Sequence, residues 1–211
     1  MMASTPSEKT EEVVEKPVRH MTFDEWFAWA PDSRITEWVD GEVIELSPIH
    51  EKHDSIFRWL IVVLELFLEE QPLGVLRTAP FVLKLTESRR RREPDLMFIA
   101  VGQEDRIHPT YIEGPVDAVW EIISPESAER DRNDKFLEYQ KEGISEYWLI
   151  DPHQERLELY HLDENGKYQA VALCEGKLKS SAIKGFYLRP EWLWMDPKPR
   201  SLDVLHEMKV L

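Results

Sequence analysis

Cysteine and long apolar runs are what this sequence has least of. Its single cysteine, Cys174, excludes an internal disulfide framework and is typical of a protein from a reducing compartment. The longest strongly apolar stretch, residues 59–64, is far too short to span a bilayer. The N-terminal residues lack the basic-then-apolar pattern of a secretion signal. We therefore expect a cytoplasmic protein that does not associate with a membrane.

Basic residues are also scarce, since 26 Lys and Arg face 41 Asp and Glu for a net charge of −15. This charge argues against non-specific nucleic-acid binding, which depends on the neutralisation of phosphates. A nucleic-acid interface would need a local basic patch. The one candidate is the run at residues 89–92, RRRR, with Lys84 just upstream. The same run is equally typical of a solvated loop, and the sequence leaves both interpretations open.

Several catalytic motifs are missing. There is no G-x-S-x-G elbow of a serine hydrolase, no P-loop and no G-x-G-x-x-G dinucleotide fingerprint. Cys174 has no evident base in its neighbourhood, so we expect it to be a core residue rather than a nucleophile.

The length and apolar content predict one domain, and the order of its predicted elements gives the α+β class. A chain of 211 residues with 42% apolar residues can bury a sizeable core. We assign residues 1–18 to a flexible acidic tail and 19–211 to a single domain with a mixed sheet flanked by helices. The predicted elements are a helix at 21–30 with a capping box of Thr22 and Glu25, a hairpin at 35–46 around Asp40-Gly41, a helix at 54–70, strands at 74–85, 94–101 and 116–123, a helix ending near Gly143, strands at 146–150, 156–161 and 168–173, and a weak helix at 202–209.

Two carboxylates interrupt segments whose pattern predicts buried strands. Glu121 lies in the middle of AVWEIISPE, residues 118–126, and Asp95 opens the apolar part of EPDLMFIA, residues 93–100. A buried carboxylate without a partner costs several kcal/mol, so each needs one. Neighbouring strands lie ~5 Å apart, so the two could share a cation such as Mg²⁺ or Mn²⁺. Alternatively, Asp95 caps the turn after Pro94 and Glu121 pairs with an arginine.

Lys135 is the candidate partner on the following helix, but its reach depends on where that helix starts. A start at Pro125, with Ser124 as N-cap, would carry Lys135 ~15 Å along the axis and too far from Glu121. A start at Asp131 would keep Lys135 near the strand end, and we predict this second arrangement. The alternative is a lysine whose stem covers apolar surface while its amine stays in water.

The hairpin and the long helix supply further candidates. Glu37 lies on a hairpin face that is otherwise apolar, and Glu42 lies at the turn end of the same face. His50 and His53 flank the start of the long helix. Without a cysteine or a third histidine nearby they are poor evidence for zinc, and a histidine there is more often a polar cap. His53 is kept as a secondary site candidate.

These stretches, in this order, resemble the Uma2 family, within the PD-(D/E)XK nuclease superfamily. The matching segments are TEWVDGEVIELSP at 36–48, His53, EPDLMFIA at 93–100, VWEIISPES at 119–127 and RNDKFLEYQKEGISEYWLIDP at 132–152. The superfamily usually places lysine two residues after the glutamate, but this chain has Ile123 there. Lys135, on the next helix, would take the place of that lysine.

The resemblance implies a restriction-endonuclease-like fold and a metal-dependent endonuclease that hydrolyses DNA. Lys135 would orient the attacking water or stabilise the transition state. By analogy with nuclease folds, two copies would pair as a homodimer. The implied ligands of Mg²⁺, for which Mn²⁺ would substitute, are Asp95, Glu121, the backbone carbonyl of Ile122 and Glu37, with Glu42 as a weaker candidate.

Two other interpretations remain open. The chain could be a nuclease-fold protein that no longer cuts and serves as a binding or scaffold module, which its acidity favours. It could also hold a purely structural ion-pair network among Asp95, Glu121, Lys135 and an arginine such as Arg92. Metal binding separates the structural network from the other two, and turnover separates the enzyme from the module.

Overall fold

The structure is a computed structural model that describes residues 19–29, 36–39, 41–45 and 50–211, without the side chains of residues 23, 27, 37, 44 and 45. The predicted tail, residues 1–18, lies outside the described residues. The helices are α1 Phe23–Trp29, α2 Glu51–Glu70, α3 Phe136–Glu142, α4 Pro190–Trp194 and α5 Ser201–Met208. The strands are β1 Arg19–His20, β2 Thr36–Val39, β3 Glu42–Glu45, β4 Gly74–Thr78, β5 Val82–Leu85, β6 Arg90–Arg92, β7 Leu96–Ala100, β8 Tyr111–Glu113, β9 Ala118–Ile122, β10 Glu146–Asp151, β11 Arg156–Leu162, β12 Tyr168–Ala170, β13 Leu178–Lys179 and β14 Tyr187–Leu188.

Two larger sheets and a two-stranded pair organise these strands. The main sheet has the order β12-β11-β10-β9-β7-β4, and the hairpin sheet has the order β1-β3-β2-β6-β5-β8. Strands β9 and β10 run parallel, as do β5 and β8, while the other neighbours are antiparallel. The sheets are therefore mixed and the fold is α+β, as predicted.

The two faces of the main sheet carry separate apolar cores. On one face, α2 and α5 pack over the sheet, and side chains such as Leu60 and Val204 are buried against Trp120 and Trp148. On the other face, Tyr139 of α3 is buried in a second core that also contains side chains of the hairpin sheet. Apolar burial stabilises each layer, at about 25 cal/mol per Å² removed from water. Within the described residues, no helix is long and apolar enough to cross a membrane.

Most local predictions are confirmed. Thr22 and Glu25 form the capping box of α1, since the backbone N–H of Thr22 donates to Oε2 of Glu25 at 2.8 Å and Glu25 N–H donates back to Oγ1 at 3.3 Å. Val39 pairs with Glu42, which confirms the hairpin, although Asp40 itself lies outside the described residues. Gly41 has φ of +96°, a conformation that glycine adopts without steric cost.

Two predictions about the strand regions are wrong. The single strand at 74–85 is two strands in different sheets, β4 and β5, because the chain turns at Ala79-Pro80 and proline has no N–H for a ladder. Cys174 is exposed rather than buried, because β12 ends at Ala170 and Cys174 lies beside a turn that closes onto Lys177.

The topology brings the predicted carboxylates to one end of the main sheet. Leu96 of β7 pairs with Trp120 of β9 in antiparallel register, so Asp95 and Glu121 are the next residue of each strand segment at the same end. The chain then crosses from β9 through α3 to β10, the parallel neighbour of β9. This crossover lays the helical segment with Lys135 over the same end of the sheet.

Candidate functional site

Asp95 lies between the end of β9 and the first turn of α2. Its Oδ2 accepts the backbone N–H of Ile122 at 2.7 Å, and its Oδ1 lies 3.3 Å from Nε2 of His53. The side chain is 19% exposed, so solvent reaches it. Asp95 is therefore fixed by main chain on one side and accessible on the other. Ile122 contacts Asp95 through its backbone N–H. Metal binding by the backbone carbonyl of Ile122 stays a prediction.

Glu121 is buried inside β9, where every residue is buried. Its Oε1 accepts the hydroxyl of Tyr139 at 2.7 Å, and its Oε2 lies 2.9 Å from Nζ of Lys135. Its side chain is 4% exposed. The carboxylate is tolerated in an apolar strand because a cation and a hydroxyl donor from the next helical segment contact its two oxygens.

Lys135 reaches Glu121, although the predicted helix start is wrong. Helical winding begins at Ala128 rather than Asp131, after Ser124 and Ser127 exchange side-chain to backbone hydrogen bonds of 3.0 and 3.2 Å. Lys135 nevertheless stays near the strand end because residues 130–135 form a π-helix. Its wider turns carry the chain a shorter distance along the axis than an α-helix of the same length.

Lys135 is held between two acids. Its Nζ lies 2.9 Å from Glu121 and 3.1 Å from Oδ1 of Asp131, which is also buried. The sequence pattern gave Asp131 no role beyond the helix start, and it gave Tyr139 no partner. The available signal was the spacing: residues 131, 135 and 139 lie four apart, so they share one helix face.

His53 is brought to the site as the partner of Asp95. Its side chain is 11% exposed, and Nδ1 is buried without a hydrogen-bond partner among the described residues. Burial alone would lower the pKa of His53, but the hydrogen bond to Asp95 and the charges of Asp95, Asp131 and Asp54 outweigh it and raise that pKa. His53 is therefore more basic than an ordinary histidine.

Arg92 and the basic run are structural. Residues 90–92 of the run form strand β6, and the buried Arg92 donates to both oxygens of Glu138 on α3, at 2.8 and 2.7 Å. Arg90 also donates to Glu138, and Lys84 lies 2.6 Å from Glu113. Of the two interpretations left open, neither the solvated loop nor the free basic patch describes residues 90–92, whereas Arg89 lies exposed in a turn.

The hairpin candidates are placed only in part. Glu42 is exposed and pairs with Val39 and His20 in the hairpin sheet. The backbone of Glu37 lies in β2 opposite Ile44, but its side chain is outside the described residues. Among the described hairpin side chains, Val43 is buried and its cross-strand partner Trp38 is partly buried.

The carboxylates of Asp95 and Glu121 suit an open magnesium site, completed by water, better than a closed metal cage. Among the described side chains, no three His, Cys, Asp or Glu converge closely enough to hold a metal. Mg²⁺ usually keeps several waters and binds through one or two carboxylates together with substrate phosphates. The carboxylates of Asp95 and Glu121, on neighbouring strand segments, fit that description, and the exposure of Asp95 leaves room for water.

Comparisons with known proteins agree with the fold. A model of the Uma2 family, described as "Putative restriction endonuclease", matches residues 23–191. A solved structure from Anabaena variabilis, titled as a "putative nuclease belonging to DUF820", is similar with a TM-score of 0.66 and 19% identity. The similarity covers 82% of this chain and 97% of that one. No curated protein sequence matches the chain.

Proposed function

We propose that this chain, which belongs to the Uma2 family described as "Putative restriction endonuclease", hydrolyses phosphodiester bonds in DNA with the help of Mg²⁺. Asp95, Glu121 and Lys135 would form the catalytic site. The observation that carries this proposal is that Asp95 and Glu121 lie on neighbouring strand segments at one sheet end, where Lys135 contacts Glu121 at 2.9 Å.

In the proposed reaction, a water oxygen bonds to phosphorus and one P–O ester bond breaks. The leaving oxygen takes up a proton, and the products are a phosphomonoester and a hydroxyl. Bound Mg²⁺, for which Mn²⁺ would substitute, would supply a water of lowered pKa and neutralise charge on the phosphate. Asp95 and Glu121 would hold it, with the Ile122 carbonyl and Glu37 as further candidate ligands.

In this proposal, Lys135 contacts Glu121 from the buried side of the site. Its side chain is 3% exposed and lies between Glu121 and Asp131, so its charge stabilises the two carboxylates that surround it. Asp95, on the open side of the site, is more accessible to water. A lysine in this place lowers the cost of keeping Glu121 ionised next to an approaching phosphate.

A second candidate function is a nuclease-fold module that binds without cutting. Two observations favour it. One is the net charge of −15, and the other is that Arg90 and Arg92 of the basic run are paired with Glu138. Both weaken non-specific capture of DNA, because that capture depends on cations available to phosphates.

Nicking of covalently closed plasmid, followed on gels with Mg²⁺ and with Mn²⁺, tests the proposal. The wild type should nick, and Asp95→Asn should lose at least about 100-fold in rate, the scale of a lost metal ligand or electrostatic contact. The matched control is Asp117→Asn, because Asp117 also accepts a backbone N–H from a neighbouring strand, that of Ala100 at 2.8 Å.

The control should keep the wild-type rate. Nicking by Asp95→Asn at the wild-type rate would contradict the assignment of the site. A wild type that binds metal but never nicks any DNA form would favour the non-cutting module.

A further inference from the structure

One face of the helix that follows β9 contacts both oxygens of Glu121. Tyr139 donates its hydroxyl to Oε1 at 2.7 Å, and Lys135, one turn earlier, places Nζ 2.9 Å from Oε2. Asp131, a further turn back, lies 3.1 Å from the same Nζ. A single contact would leave the carboxylate free to rotate about it. Two contacts from successive turns fix both the place and the plane of the carboxylate.

The hydroxyl of Tyr139 is unusual for its surroundings. Tyr139 is completely buried and packs edge-on against Tyr147, with ring centroids 5.1 Å apart. Phenylalanine would satisfy that packing equally well, and Phe136 does contribute to the same core. The hydroxyl therefore serves its bond to Glu121, and a hydroxyl bond to a carboxylate is among the stronger hydrogen bonds in proteins.

We propose that Tyr139 is a positioning residue, which sets the orientation of Glu121 for its role in binding the cation. This inference rests on the proposed function and extends it to a residue that would touch neither cation nor DNA. Groups that orient a metal ligand typically change metal affinity or activity 10- to 100-fold when they are removed.

The test compares Tyr139→Phe with Tyr168→Phe. Tyr168 lies in the same core, and its hydroxyl donates to the backbone carbonyl of Ile144 at 2.9 Å, so its loss costs a buried tyrosine hydrogen bond away from Glu121. Calorimetric titration with Mn²⁺ and plasmid-nicking kinetics are measured on the wild type and both variants, with thermal unfolding as the measure of stability.

Tyr139→Phe should weaken Mn²⁺ binding about tenfold and lower kcat about tenfold with KM for plasmid unchanged. Tyr168→Phe should change none of these, although both variants lose stability. Equal Mn²⁺ affinity and kcat in the two variants would overturn the proposal and leave Tyr139 a structural residue. A rise in KM alone would overturn it as well.

A double-mutant cycle on the metal-free protein separates this inference from the proposed function. In the double variant of Tyr139→Phe with Glu121→Gln, the change in the unfolding equilibrium constant should differ about fivefold or more from the product of the two single changes. In the double variant of Tyr168→Phe with Glu121→Gln, the change should equal that product. Coupling of Tyr139 to Glu121 in a wild type that binds no Mn²⁺ would overturn the proposed function alone. Absence of coupling would overturn the positioning role.

Discussion

The carboxylate of Asp95 accepts the backbone N–H of Ile122 at 2.7 Å, and this bond ties the start of β7 to the residue that follows Glu121. The Asp95 carboxylate is therefore anchored on the backbone next to Glu121. Main-chain placement of this kind gives a site the precision that loops do not provide.

Lys135→Met should destabilise the fold by about 3–5 kcal/mol, because it leaves Glu121 and Asp131 buried without the cation between them. Urea unfolding measures the change. Lys141→Met, on the exposed side of the same helix, is the control and should stay within about 0.5 kcal/mol. Equal effects of the two variants would mean that the buried ion pairs do not form in solution.

Arg92→Lys should destabilise the fold by about 1–3 kcal/mol, since lysine cannot reproduce the two hydrogen bonds to Glu138. Arg89→Lys, at an exposed position of the same basic run, should be neutral. Thermal unfolding of both variants provides the comparison. If Arg89→Lys were the more harmful change, the run would have a role other than holding α3.

Acid should destabilise the protein through Glu146. Burial would raise the pKa of Glu146, but the neighbouring imidazole of His161 and hydrogen bonds from Ser181, Ala182 and Ser180 outweigh it and hold that pKa below its ordinary value of 4.5. The folded state therefore favours the ionised form, so this stabilisation is present above pH 4.5 and is lost as the pH falls through the lower folded-state pKa.

Glu146→Gln tests the source of that acid sensitivity. The variant should be less stable than the wild type at pH 7, and its free energy of unfolding should fall less steeply below pH 4.5. Urea unfolding at several pH values measures both slopes. Parallel slopes would show that other carboxylates, and not Glu146, account for the acid sensitivity.

Gly74→Ala should destabilise the edge strand of the main sheet. An added Cβ would overlap the carbonyl oxygen of Ile99 and lie 2.6 Å from the ring of Phe98, so strand β4 would have to shift. Gly102→Ala is the control, because its Cβ meets open space and its φ of +86° costs only about 1–2 kcal/mol. Thermal unfolding should rank Gly74→Ala as clearly the less stable.

The sequence predicted those parts of the fold that depend on local pattern. Alternation and the Asp40-Gly41 pair predicted the hairpin, and the apolar period predicted α2. The pattern could not show that residues 74–85 cross between two sheets, because both halves are equally apolar. A position such as Pro80 marks where a ladder must break, yet it does not reveal where the chain goes next.

The site was predictable where a charge broke an apolar pattern, as at Asp95 and Glu121. Asp131 and Tyr139 were not predicted to contact the site, because a polar helix residue and a core tyrosine are ordinary in their contexts. The partner of Arg92, Glu138, was not predicted, because the two residues are distant in sequence and a run of four arginines resembles a surface loop. Long-range pairing of this kind is not encoded in local pattern.

The most direct test of the central claim is calorimetric titration of Mn²⁺ into the metal-free wild type and Asp95→Ala. The account predicts saturable binding to the wild type and its loss in Asp95→Ala, with thermal unfolding confirming that the variant is folded. Undiminished binding in a folded Asp95→Ala, or no binding to the wild type, would contradict the claim that Asp95 and Glu121 form a metal site.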